Sequence, residues 1–258
     1  MYFYRNFHYN FGDSQYFTGF NWSGTGSSFA LYSSLANSYK SISTSLDAAN
    51  FDEKLIPVLE KVLKDSHQKK FIILHTLGSH FRYNYRYPDN FKVFKPTLKK
   101  GLSTETTNSI SNKKEIINSY DNSILYTDFV LSKIIHKLKK KNVVSYMYYI
   151  SDHGENLFDT EDGKILHGFE TPSKFEIKIP LFIWTSKKYN HKYSEKIENL
   201  NKNINQKISS ANTFQTILDL SHISYPNFEK QQSFANKKFD TLQKRTFYTV
   251  NKTVLKLD

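Results

Sequence analysis

Apolar residues recur at helical spacing in three places along the chain and run together in three others. In residues 51–64, Leu55, Val58, Leu59, Val62 and Leu63 trace one face, and Pro57 stands early enough to belong to a first helical turn. A longer helix is predicted over 115–141, with Ile117, Tyr120, Ile124, Leu131, Ile134, Ile135 and Leu138 on one side. Its closing lysines suit the negative end of a helix dipole. Residues 212–223 read as a third helix, capped by Asn212 and closed by Tyr225 and Pro226. Between these, residues 71–75, 143–150 and 179–184 are short apolar runs rich in β-branched and aromatic residues, as in strands covered on both faces.

Helix, strand, helix, strand and strand in that order predict an α/β class fold: three layers around a mostly parallel central sheet. Residues 97–114 and 187–210 are polar and read as surface loops. The expected organisation is a loop-rich segment over 1–49, a core over 50–226 and a C-terminal segment over 227–258 that packs on it.

Composition narrows the chemistry. Hydrophobic residues make up 38% and charged residues 23% of the 258 positions, which is globular usage. With no cysteine, disulfides, thiolate metal sites and thiol nucleophiles are excluded, so a metal would need His and carboxylate ligands. The 36 basic residues outnumber the 24 acidic ones, for a net charge of +12, which favours an anionic partner. The lysines are scattered and no nucleic-acid motif accompanies them, so nucleic acid is not the expected partner. No stretch approaches the ~18 apolar residues of a membrane span. Residues 1–22 are aromatic but broken by Arg5, Asn6, His8, Asn10, Asp13 and Gln15, and read as neither a signal peptide nor an anchor.

In open α/β sheets ligands bind beyond the carboxyl ends of strands. His80 stands just past the run 71–75, Asp152 and His153 just past 143–150, and His167 in the loop that follows. Adjacent residues of a strand point to opposite faces, so Asp152 and His153 can share one ion only if the backbone is already turning, which Gly154 permits. Imidazole with carboxylate suits zinc, or manganese where oxygen ligands predominate. His75 lies inside the apolar run and reads as a packed histidine. His8, His67, His136, His191 and His222 read as surface or packing residues.

Five segments resemble phosphoethanolamine transferases of the alkaline phosphatase and sulfatase superfamily, in the order found in that family. They are Leu74-His75-Thr76-Leu77-Gly78-Ser79-His80-Phe81 with Tyr85-Arg86-Tyr87-Pro88 and residues 91–96; residues 118–128; Ser151-Asp152-His153-Gly154-Glu155; Leu166-His167-Gly168; and residues 212–216. The resemblance covers roughly residues 50–226. It implies an alkaline-phosphatase-like fold, zinc, and transfer of phosphoethanolamine from phosphatidylethanolamine, through a covalent phospho-enzyme, to lipid A or another envelope glycan. The location it implies is periplasmic, anchored to the inner membrane. Asp152 and His153 match metal ligands of the family; His80 and His167 match residues that contact the phosphoryl group or a second metal.

The resemblance also implies an N-terminal membrane domain, an acidic ligand and a threonine nucleophile well upstream of His80, and the expectation is that this chain lacks them. Thr25, in Ser23-Gly24-Thr25-Gly26-Ser27-Ser28, lies only 55 residues before His80, about half the separation the family implies. A chain without those groups is expected to bind metal poorly and turn over little. The rival readings are a sulfatase or phosphoglycerol transferase of the same superfamily, and a basic domain with no catalytic role.

Overall fold

The structure is a computed structural model and describes residues 6–9, 38–41, 51–101, 110–249 and 254–256. The chain divides into two compact units, Met1–Lys137 and Leu138–Asp258.

The first unit contains strands β1 (Asn6–Tyr9) and β2 (Ser38–Ser41), helix α1 (Leu55–Lys64), strand β3 (Ile73–Leu74) and most of helix α2 (Lys113–Lys141). β1 pairs in parallel with both β2 and β3. α1 follows a 3-10 turn at Asp52–Lys54, and Pro57 falls in its first turn, where its missing N–H costs nothing. The helix buries Leu55, Ile56, Leu59 and Val62.

α2 runs as predicted, but of the predicted apolar face only Ile134 is fully buried. Ile116, Ser119, Asn122, Ser123, Tyr126, Val130 and Ile134 point inward, while Ile124 is exposed. The reason is the irregular segment 93–98, whose backbone joins no strand and uses this helix instead. Asn122 Oδ1 accepts from the amides of Val93 and Phe94, each at 2.9 Å, and its Nδ2 donates to the Phe94 carbonyl at 2.9 Å. Ser119 Oγ accepts from the Leu98 amide at 2.9 Å. Hydrogen bonding overrides apolarity here, because buried backbone groups must be paired somewhere. Tyr126 fills the remaining space, its ring edge-on to Phe51 and Phe91.

The second unit contains β4 (Tyr146–Ile150), β5 (Asn156–Leu157), β6 (Ile165–Leu166), α3 (Lys174–Ile177), β7 (Leu181–Thr185), α4 (Lys187–Lys192), α5 (Ser194–Lys202), α6 (Thr213–Leu220), β8 (Thr246–Tyr248) and β9 (Val254–Lys256). β4 and β7 pair antiparallel, with Tyr146 opposite Thr185 and Ile150 opposite Leu181. Residues 151–180 between these two strands would be long enough for a parallel crossover, but they hold the β5–β6 hairpin and the four-residue α3, and the chain returns in the opposite direction.

The segment 187–210 is not a loop throughout: α4 and α5 occupy much of it. Tyr189, Tyr193, Ile197 and Leu200 recur at three- and four-residue spacing and pack with Leu220 and Ala235. The lysine and asparagine background masks that signal. α6 also starts differently from the prediction. Ser209, not Asn212, caps the preceding 3-10 turn, and Asn212 reciprocates by accepting from the Ser209 amide at 2.9 Å. Residues 233–235 are held to α5 and its C-terminal end by Asn199 and Asn203, which donate to the carbonyls of Ala235 and Phe234, and to α6 by Asp219, which accepts from Ser233 Oγ at 2.8 Å.

Candidate metal centre

The hairpin β5–β6 creates the site. Its antiparallel register sets Asn156 opposite Leu166 and Leu157 opposite Ile165. One position beyond the ladder, Glu155 therefore stands opposite His167, and cross-strand neighbours are close enough for side chains to meet. His167 Nδ1 lies 3.0 Å from Glu155 Oε1. His153 lies two residues before Glu155, and its ring stacks on that of His167 with centroids 3.5 Å apart.

Ligand atoms of His153, Glu155 and His167 all lie within 4.8 Å of one another. Two atoms that each sit ~2.1 Å from one ion are separated by no more than ~4.2 Å, so small side-chain adjustments suffice for shared coordination. Glu155 is only 5% exposed, and its Oε2 is buried with no hydrogen-bond partner among the described residues. A buried carboxylate oxygen with no partner is costly unless a cation satisfies it. His153 Nδ1 is directed to the Gly154 carbonyl at 3.0 Å, leaving Nε2 as its ligand atom. That Nε2 lies 3.7 Å from Asp152 Oδ2, so the turning backbone does bring Asp152 and His153 to one side. The donor set of imidazole and carboxylate fits zinc better than manganese, which prefers oxygen.

Two charges shape the local electrostatics. The hydrogen bond that His167 donates to Glu155 lifts His167 above the ordinary imidazole range, against the opposing effect of burial. For Glu176, burial alone would raise the carboxyl; the Ser173 amide, the Asn156 side chain and the amides of Gly168 and Phe169 together outweigh it and hold the group below the ordinary range. A cavity of about 110 Å³ opens beside the histidines, lined also by Phe169, Pro172, Glu176 and Phe247.

His80 belongs to the first unit, in the turn after β3. Its amide donates to the Leu77 carbonyl at 3.2 Å, and Arg86 Nε donates to the His80 carbonyl at 2.8 Å. The same turn is braced by Asp52, buried under α1, whose carboxylate accepts from the amides of Leu77 at 3.1 Å and Gly78 at 2.9 Å. His75 is half-buried. Thr25 lies outside the described residues. Among the four predicted site residues, the structure groups His153 and His167; Asp152, largely exposed, lies beside His153 but outside that group. Glu155 is the member that sequence reasoning passed over. Its alternation with His153 was the available signal, since residues two apart in extended chain share a face.

The sequence model of the sulfatase family matches residues 1–223, and the chain belongs to that family. Among curated relatives, phosphoethanolamine transferase EptC of Escherichia coli K12 is 32% identical over 196 residues, which is 74% of this chain and 32% of the relative. Phosphoethanolamine transferase EptA of Salmonella typhimurium is 35% identical over 186 residues, 69% of this chain and 32% of the relative. The chain thus spans about a third of the length of the curated relatives it matches. Among solved structures, the zinc complex of the C-terminal periplasmic domain of Escherichia coli EptC aligns with a TM-score of 0.81 at 25% identity, over 98% of this chain and 68% of that one. The corresponding EptC domain of Campylobacter jejuni aligns with a TM-score of 0.71 at 27% identity, over 92% of this chain and 67% of that one. The fold is therefore alkaline-phosphatase-like, as the sequence predicts.

Proposed function

We propose that this chain carries the zinc-binding part of a phosphoethanolamine transferase acting in the periplasm at the inner membrane. The donor in this reading is phosphatidylethanolamine and the acceptor is lipid A or another anionic envelope glycan. The observation that carries it is the convergence of His153, Glu155 and His167 in a chain similar to enzymes named for that transfer. Asp152 and His153 are assigned as metal ligands. His167 and His80 are assigned to the phosphoryl group or a second metal. A bound zinc would supply Lewis acidity to a phosphoryl oxygen, the kind of help that phosphoester chemistry needs.

The protein's own contribution is orientation. Glu155 accepts the Nδ1 proton of His167, so Nε2 is the atom left to face a ligand. A carboxylate behind an imidazole fixes both tautomer and ring direction. The Phe169, Pro172 and Phe247 walls of the cavity thin the water beside that nitrogen, which strengthens each electrostatic contact made there.

Metal analysis of the purified chain tests the reading. Weak zinc binding, measurable at saturating zinc, is expected in the parent and its loss in His153→Ala and Asp152→Asn. A parent that binds no zinc even at saturating concentration, or variants that bind as well as the parent, would sink it.

A further inference from the structure

We propose that Glu176 is the positioning residue that locks the two histidine-bearing loops into one arrangement. The inference rests on the reading of His153 and His167 as metal-site residues, and adds to it a group that, among the described residues, hydrogen-bonds to neither histidine and stands on the helix that follows them.

Glu176 sits in α3, is 4% exposed, and holds both loops at once. Its main-chain carbonyl accepts from the Gly154 amide at 2.8 Å, one residue past His153. Its Oε2 accepts from the Gly168 amide at 2.9 Å, one residue past His167, and from the Phe169 amide at 3.4 Å. Its Oε1 accepts from the Ser173 amide at 3.0 Å and from Asn156 Nδ2 at 2.9 Å. Asn156 in turn donates to the Leu166 carbonyl at 2.9 Å, so the same carboxylate also grips the hairpin that separates the histidines. Nothing smaller than a carboxylate offers acceptors on both sides, and an amide would turn a donor toward one pair of N–H groups.

The neighbouring packing fits this role. A Cβ on Gly154 would lie 2.0 Å from the Phe175 carbonyl oxygen, so the His153 loop is pressed against α3 and not merely near it. Gly168 has φ +88, a left-handed conformation that leaves its N–H aimed at Glu176. The short helix is itself held by the pair it forms with Ser173, whose Oγ accepts from the Phe175 amide at 3.1 Å.

The test measures zinc affinity of the full chain by competition with a chromophoric chelator, for the parent, Glu176→Gln, Glu176→Asp and His153→Ala. Groups that orient metal ligands typically contribute ten- to a hundredfold in affinity. Glu176→Gln is expected to bind about tenfold to a hundredfold more weakly, with Glu176→Asp recovering part of the loss. The cobalt-loaded parent and Glu176→Gln are expected to differ in visible absorption, a readout of ligand geometry that a stability defect alone would leave unmoved. Melting curves taken in chelator, with affinities measured well below each melting temperature, separate any loss of stability from the loss of affinity. If the parent binds zinc, His153→Ala loses it, and Glu176→Gln binds as the parent does, the positioning role is overturned while the metal assignment stands. If the parent and His153→Ala bind alike, the metal assignment itself fails and takes this inference with it. Should Glu176→Gln not fold, amide exchange on the unaltered chain decides. The Gly154 and Gly168 amides must then exchange more slowly than those of Glu161 and Asp162 at the hairpin tip, and equal rates overturn the proposal.

Discussion

Asp52 illustrates how one side chain can hold a loop at an electrostatic cost. Burial pushes its carboxyl up to about 6 from 3.8, although the amides of Leu77 and Gly78 and the charge of Arg86 pull the other way. Between those two values the folded chain keeps a proton that the unfolded chain has released. This group's contribution to stability is therefore greatest below about pH 4 and falls as pH rises towards about 6. Denaturant unfolding of the parent and Asp52→Asn at pH 4.5, 5.5 and 6.5 should show the parent's relative stability declining with pH, by an amount on the order of 1–2 kcal/mol. A difference between the two that stays constant or grows with pH rejects the argument. At this scale the sequence was informative about residue types and silent about contacts. Gly154 was legible as a turning point beside Asp152 and His153, but the constraint on it comes from the Phe175 carbonyl, which no local pattern announces.

At the scale of elements, periodicity located α1, α2 and β4 within a few residues and misjudged what α2 buries. A stripe search ranks Ile117, Ile124 and Leu131 inward because it weighs only apolarity. The helix instead turns Ser119 and Asn122 inward to serve the backbone of 93–98, a demand set by a segment more than twenty residues away. Asn122→Ala should cost about 1–3 kcal/mol in unfolding free energy, because it strands backbone groups of Val93 and Phe94. Ile124→Ala, on the exposed side, should stay within about 0.5 kcal/mol. Comparable losses from both would restore the apolar face as the one that matters. The helices over 187–202 went unseen for the complementary reason: their apolar positions are few, and two of the four are tyrosine.

For the whole molecule, family membership was readable because the site segments lie in the family's order, while strand direction was not. Residues 151–180 are long enough to join β4 and β7 in either direction, and only the structure shows them antiparallel. The excess of 36 basic over 24 acidic residues carries a prediction at this scale. The chain should associate with phosphatidylglycerol vesicles at about 30 mM salt and detach by about 300 mM, as the screening length shrinks. Equal association with uncharged phosphatidylcholine vesicles would remove the electrostatic account. The hairpin that brings the histidines together has one more implication. Glu155 meets His167 because Asn156 pairs with Leu166, whereas the exposed tip around Asp162 and Gly163 has no part in that pairing. The number of residues separating the two histidines is thus free to drift over generations, and only the rung at the base of the hairpin must be inherited unchanged.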